Sequence, residues 1–301
     1  LSLKWNKIIY NHIKEIVADS EKQQKPISEL IIEQECKLSG LPRQKVWNRM
    51  KHNLATMRAA VERGKSGAGI FSKTGLTGGE AVKIKKYHQT HHTLSGDTIM
   101  AAVQNAVATN EVNASMGVIC ATPTAGSSGT LPGVLFLLEK RMDLSEEQMI
   151  RSLFTAGGFG LVIAKNAEIA GATGVCQAEV GSASAMGAAA AVEAAGGSAE
   201  QSAQAMSIAM SNLLGLVCDP IAGLVEVPCV KRNAIGAGNA LISADTALAG
   251  CTSVIPADEC IDAMKKVGHQ MPASLRETGI GGLAGTPTGQ AIKAKIFGKD
   301  A

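Results

Sequence analysis

Aromatic residues are scarce in this 301-residue chain, at 3% of positions. That is too few for an aromatic-rich sheet core, or for the stacking platforms that accompany a basic stripe on a nucleic-acid surface. The charge tells the same story: a net +3 and a pI of about 8.4 are mild, and no run of one sign occurs. No apolar run reaches the roughly 20 residues that a membrane span needs. The Ala/Gly stretch Gly181–Gly197 is shorter and contains Glu193, which marks it as a buried helix. Leu1–Ser20 lacks the uninterrupted apolar segment of a secretory leader, being broken by Lys4, Lys7, Lys14, Glu15 and Asp19. The seven cysteines show no regular spacing and no CxxC zinc motif, so a secreted disulfide scaffold is excluded and a reducing cytoplasm is expected.

What the chain does have is glycine, 33 residues of it, within a composition 46% hydrophobic and 18% charged. This is the profile of a globular protein, and small residues let helices approach closely. Apolar positions recur at helical spacing, as in Ile9, Ile13, Ile16 and Val17. They predict helices over about 3–18, 27–38 and 42–63 in a charged N-terminal segment. Further helices are expected over 97–110, 128–141 and 145–168, then 177–195, 198–214, 230–249, 257–267 and 287–297. No alternating run of strand length appears. The expected fold is all-α: a single globular helical domain with Ala/Gly-rich, close-packed central helices. Residues 1–63 form its N-terminal helical segment and 64–301 its core.

Three cysteines lie in breaks between these helices, in Gly174-Val-Cys176-Gln, Cys218-Asp-Pro220 and Val227-Pro-Cys229. Proline lacks an N–H and glycine bends freely, so such segments wrap a ligand rather than continue a helix. The separations are 42 and 11 residues, which leaves a three-cysteine iron–sulfur site open. Cys36, Cys120, Cys251 and Cys260 fall in or near apolar helical stretches and read as structural.

The glycine motifs need sorting. Gly64-Lys65-Ser66 imitates the end of a P-loop, but the first glycine of that motif would fall at Ala59, inside a helix. Gly279-Ile-Gly-Gly-Leu-Ala284 fits a dinucleotide fingerprint on paper, yet no strand precedes it. Ser72-Lys73 beside Gly75, Gly78 and Gly79 suggests a Schiff-base lysine with a phosphate loop, as pyridoxal phosphate enzymes have; those build on strands that are missing here. The segment Pro123-Thr-Ala-Gly-Ser-Ser-Gly-Thr130 has two readings, an anion site at a helix N-terminus and a plain helix cap. His88, His91 and His92 sit in a short polar stretch, suited to contact with substrate or with a ligand's neighbours.

Lys73-Thr-Gly-Leu-Thr-Gly-Gly79, His91-His-Thr-Leu-Ser-Gly-Asp97, Pro123–Gly129 and the three cysteine segments together resemble the alpha chain, or alpha domain, of iron–sulfur-dependent L-serine dehydratases. The likeness runs from about Gly64 to the C-terminus. It implies a [4Fe-4S] cluster held by Cys176, Cys218 and Cys229, and loss of water from L-serine to give pyruvate and ammonia. It also implies a separate beta subunit in an oligomeric assembly, with no nucleic acid and no membrane involved. Lys73 is the candidate base, since a lysine desolvated in a glycine-lined pocket loses its proton more readily. Ser72 and His92 accompany it as candidate catalytic groups. Ser127, Ser128, Gly129 and Thr130, favoured by the resemblance as the seat of the substrate carboxylate, form the candidate binding set with His88 and His91. The same residues also suit an L-cysteine desulfidase, or a non-catalytic cluster-bearing sensor or scaffold. A sensor would call for a recognition module such as a basic helix-turn-helix, and none is evident.

Overall fold

The computed structural model describes residues 10–298. Helices α1 (Ile13–Gln23), α2 (Ile27–Ser39), α3 (Arg43–Gly64), α4 (Glu80–Thr90), α5 (Gly96–Ala114), α6 (Thr130–Met142) and α7 (Glu146–Asn166) make up the first half. The second contains α8 (Gly171–Cys176), a π-turn at Gln177–Gly181, α9 (Ser182–Ala194), α10 (Ala199–Ser211), α11 (Cys229–Leu248), α12 (Ala257–Gln270) and α13 (Pro287–Phe297). Among the described residues there is no strand or sheet; Phe71 with Gly78 and Cys218 with Arg276 form isolated bridges. The fold is all-α. It lacks the alternating strands on which a Schiff-base or dinucleotide alternative would rest.

Helix α9 is the hub. Every residue from Ser182 to Val192 is buried, and α6, α7, α10 and α11 all pack on it. Such encirclement requires side chains of methyl size, which SASAMGAAAAV provides. Larger apolar groups, including Ile13, Ile16, Ile27, Leu131, Phe159 and Met206, fill the surrounding layer, each fully buried aliphatic contributing about 1.5–3 kcal/mol. The N-terminal helices share this core. Gly129, at the head of α6, lies so close to α5 that a Cβ there would fall well inside van der Waals contact with the Ala106 carbonyl oxygen. None of the helices among the described residues is long and apolar enough to cross a membrane.

Local caps account for several helix ends. Ser145 accepts from Gln148 N–H and the Gln148 side chain answers on Ser145 N–H, starting α7; Ser198 and Gln201 repeat the device for α10. Thr286 with Pro287 starts α13. Among the described residues α1 begins at Ile13 and runs past 18 to Gln23, because Glu15 reaches back to the His12 N–H and Gln24 closes the end in the left-handed conformation. Residues 3–9 of that expected helix lie outside the described residues.

Two buried carboxylates replace local caps. Glu193 of α9 accepts from Ser28 N–H at the start of α2. Glu111 of α5 accepts from Glu80 and Ala81 N–H at 2.5 and 3.3 Å, capping α4. Burial pushes the Glu111 carboxyl up to about 7 despite those donors and nearby Lys83, with Glu80 adding to the rise. The folded chain therefore holds a proton that the unfolded chain releases near the ordinary carboxylate value. Its stabilising effect is complete at low pH and is lost as pH rises through about 7. Chemical denaturation should show stability declining by about 1–3 kcal/mol from this group between pH 5 and 8, and Glu111→Gln should flatten that slope. An unchanged slope would show that Glu111 titrates normally.

Candidate metal centre

Cys176 ends α8 just after Val175, whose φ of 60° breaks the helix, so the thiol turns inward at the π-turn. Cys218 lies in the α10–α11 loop, fixed by its own N–H to Leu275 O (2.9 Å) and by Glu277 N–H to its carbonyl (2.7 Å). Cys229 follows Pro228 as the first residue of α11. All three are buried and free. Cys176 Sγ, Cys218 Sγ and a Glu179 carboxylate oxygen lie within 4.8 Å of one another. Cys229 is outside that tight group, and the charge of Cys176 still reaches it.

The electrostatics separate the three thiols. The neighbouring Cys218 thiol and the Arg232 charge together outweigh burial and draw the Cys176 thiol down toward the thiolate. Cys218, beside that sulfur, is pushed up; Cys229 is pushed up by burial. Arg232 Nη1 donates to Cys176 Sγ at 3.4 Å.

Glu179 closes the other side. It accepts from Thr124 Oγ1 at 2.7 Å, while burial and the Glu277 charge raise its carboxyl to about 7. Gly171 explains how these groups fit. A Cβ there would lie 2.8 Å from both the Glu179 and the Glu277 carboxylates and 3.1 Å from Cys218 Sγ, so the absent side chain is what leaves room at the centre.

The loop Pro123–Thr130 joins this site through Thr124 and Glu179, but not as an anion cradle at the head of α6. Asn233 Oδ1 already accepts from Gly129 and Thr130 N–H, both at 3.0 Å, and Asn233 Nδ2 donates to Gly126 O and Cys229 O. Thr130 Oγ1 also turns to Asn233, Ser128 Oγ donates to Asn110 Oδ1, and Ser127 Oγ donates to Thr122 O. The expected helix-end donors are thus consumed within the fold. The N–H groups of Gly126 and Ser127 make no hydrogen bond among the described residues.

Lys73 is exposed on a tight turn, while Ser72 is buried beside it. The desolvation expected for Lys73 is therefore missing, because its glycine neighbours shape the turn without enclosing the side chain. What places the turn is a tether. Thr74 Oγ1 donates to Glu226 Oε2 at 2.7 Å and contacts Ser72 Oγ at 3.1 Å, and Glu226 is three residues before Cys229. His88 faces Asp97 at 3.4 Å, His91 stacks on Tyr87, and His92 is exposed. No hydrogen bond or ion pair links these histidines to the cysteine segments among the described residues. Glu179, Arg232 and Asn233 are the groups that sequence patterns overlooked. The one available signal was the polar pair Arg232-Asn233, one turn beyond Cys229 in a helix otherwise rich in Ala and Gly.

Thiolates are the usual protein ligands of iron–sulfur clusters, and a donor set of buried free thiols, one drawn toward its thiolate beside a buried cation, fits such a group. Comparison with known proteins agrees. The profile of the serine dehydratase alpha chain matches residues 22–284. The chain is 58% identical over 290 residues to the probable L-serine dehydratase, alpha chain, of Bacillus subtilis (strain 168), covering 96% of each. It is 43% identical over 283 residues to the L-serine dehydratase, alpha chain, of Peptoniphilus asaccharolyticus, covering 94% of this chain and 97% of that one. Against L-serine dehydratase 1 of Escherichia coli (strain K12), 36% identity over 238 residues covers 77% of this chain but only 52% of the longer protein. An all-helical frame, paired buried thiols and these extended matches place the chain in the serine dehydratase alpha chain family.

Proposed function

We propose that this chain is the cluster-bearing alpha subunit of an L-serine dehydratase, converting L-serine to pyruvate and ammonia in the cytoplasm together with a separate beta subunit. The observation that carries the proposal is the meeting of Cys176 and Cys218, from segments 42 residues apart, beside Glu179, in a chain so close to named alpha chains. Cys176, Cys218 and Cys229 would hold the [4Fe-4S] cluster. Such a cluster with three protein thiolates supplies, when bound, a Lewis-acidic iron for the departing hydroxyl.

The remaining work falls to the chain itself. The free N–H groups of Gly126 and Ser127 seat the substrate carboxylate, with the Ser127–Thr130 segment held rigid behind them by Asn233. The bare backbone at Gly171 leaves room for the Glu179 and Glu277 carboxylates beside the Cys218 thiol. Lys73, on the turn tethered by Thr74 and Glu226, is the proposed base; exposed in the chain alone, it would need substrate or the beta subunit to desolvate it before Nζ takes the α-proton, with Ser72 fixing the turn from beneath. His88, His91 and His92 line the approach. Loss of the α-proton and of hydroxide gives aminoacrylate and water; its tautomer then takes up water to yield pyruvate and ammonia.

L-Cysteine desulfidation is the second reading, since residues that would hold a cluster for a departing hydroxyl would hold it equally for a departing sulfide. Anaerobically prepared protein with its partner chain should release pyruvate from L-serine much faster than from L-cysteine. The reverse preference would make it a desulfidase, and pyruvate from neither would leave a non-catalytic cluster carrier.

A further inference from the structure

We propose that Arg232, paired with Asp219, is a positioning residue for the metal centre: it locks the three cysteine segments together and fixes a positive charge on the Cys176 sulfur. The proposal rests on the reading that these cysteines hold an iron–sulfur cluster.

Arg232 projects from α11 one turn beyond Cys229, with a side chain only 14% exposed. Its Nη1 donates to Val217 O at 2.8 Å and to Cys176 Sγ at 3.4 Å. Nη2 lies 2.7 Å from Asp219 Oδ1. Val217 and Asp219 flank Cys218. A single guanidinium therefore touches the segments of all three cysteines, two through its contacts and the third through its own helix.

Asp219 is itself immobilised. Its side chain is 3% exposed and Oδ2 accepts from Leu283 N–H at 2.7 Å. Oδ1 makes no aligned hydrogen bond, so its contact with Arg232 is a charge pairing rather than a directed bond. Burying an arginine carries a large desolvation penalty, offset only when its partners are well placed. Here one partner is a cysteine sulfur, and the planar fork spans three acceptors in a way that an ammonium cannot. Hydrogen bonds and net charge at cysteine sulfurs set cluster potentials, and groups behind the ligands set metal retention.

The test uses the full chain reconstituted anaerobically with ferrous iron and sulfide. Arg232→Lys and Arg232→Met should lose iron to a chelator about 10–100-fold faster than the unsubstituted chain, with Lys the milder. Charge also predicts opposite signs for the reduction potential. It should fall in Arg232→Met, where a cation leaves the sulfur, and rise in Asp219→Asn, where an anion leaves the cation. A merely structural role would shift both potentials the same way or neither, and either result overturns the proposal; should Arg232→Met fail to fold, Arg232→Lys retention and the Asp219→Asn potential decide it. Absence of any cluster in the unsubstituted chain would instead remove the cluster reading itself.

Discussion

Serine substitution of Cys176, Cys218 or Cys229 should each abolish stable iron binding and lower serine turnover by at least about 100-fold, beyond what losing a group behind a ligand costs. The same change at Cys36, Cys120, Cys251 or Cys260 should leave iron content intact. The contrast follows from placement. Cys176 and Cys218 meet beside Glu179, and Cys229 begins the helix whose Arg232 donates to Cys176 and whose Asn233 donates to Gly126 O. The other four are scattered: Cys260 hydrogen-bonds Ser207 at 3.0 Å, Cys120 donates to Asn53 O, and Cys251 is exposed after α11. Iron and acid-labile sulfide measured on all seven variants check this. Full iron in Cys229→Ser would mean that the third ligand is misassigned, with Glu179 the nearest replacement.

Gly129→Ala should be strongly destabilising, at about 3 kcal/mol or more, the upper end of overpacking costs. At a few degrees per kcal/mol in a chain of this size, that lowers Tm on the order of 10 °C. The added Cβ meets the Ala106 carbonyl oxygen and comes within 3.2 Å of Asn110 Oδ1. Backbone on α5 must then move, and the loop that Asn233 holds against the metal centre moves with it. Gly157→Ala is the control: a Cβ there meets nothing within 4 Å, so helix propensity alone should stabilise it by about 0.5–1 kcal/mol. Equal melting temperatures for the two variants would contradict the close α5–α6 approach.

Helices with local signals were legible from the sequence. The span 287–297 is reproduced to the residue, with Pro287 and the Thr286 cap at its start, and α7 begins where Ser145-Glu146-Glu147 indicated. Helix α4 was missed because its cap is tertiary: Glu111, 31 residues away, satisfies its first N–H groups, and Ala81 is its one buried residue. The apolar stripe was too thin to register. The site divides in the same way. The cysteines stood out because they interrupt helices. Glu179 did not, since its importance comes from Thr124, 55 residues away, and from the gap that the fold opens at Gly171. Gly129 and Thr130 looked like anion donors because nothing near them announces that Asn233, more than 100 residues on, already accepts from their N–H groups.

Iron and acid-labile sulfide per chain, counted on the unsubstituted protein after anaerobic reconstitution, test the cluster assignment most directly. About four of each are predicted, as for a [4Fe-4S] group; tight binding of a single zinc ion without sulfide, or no metal uptake at all, would contradict it.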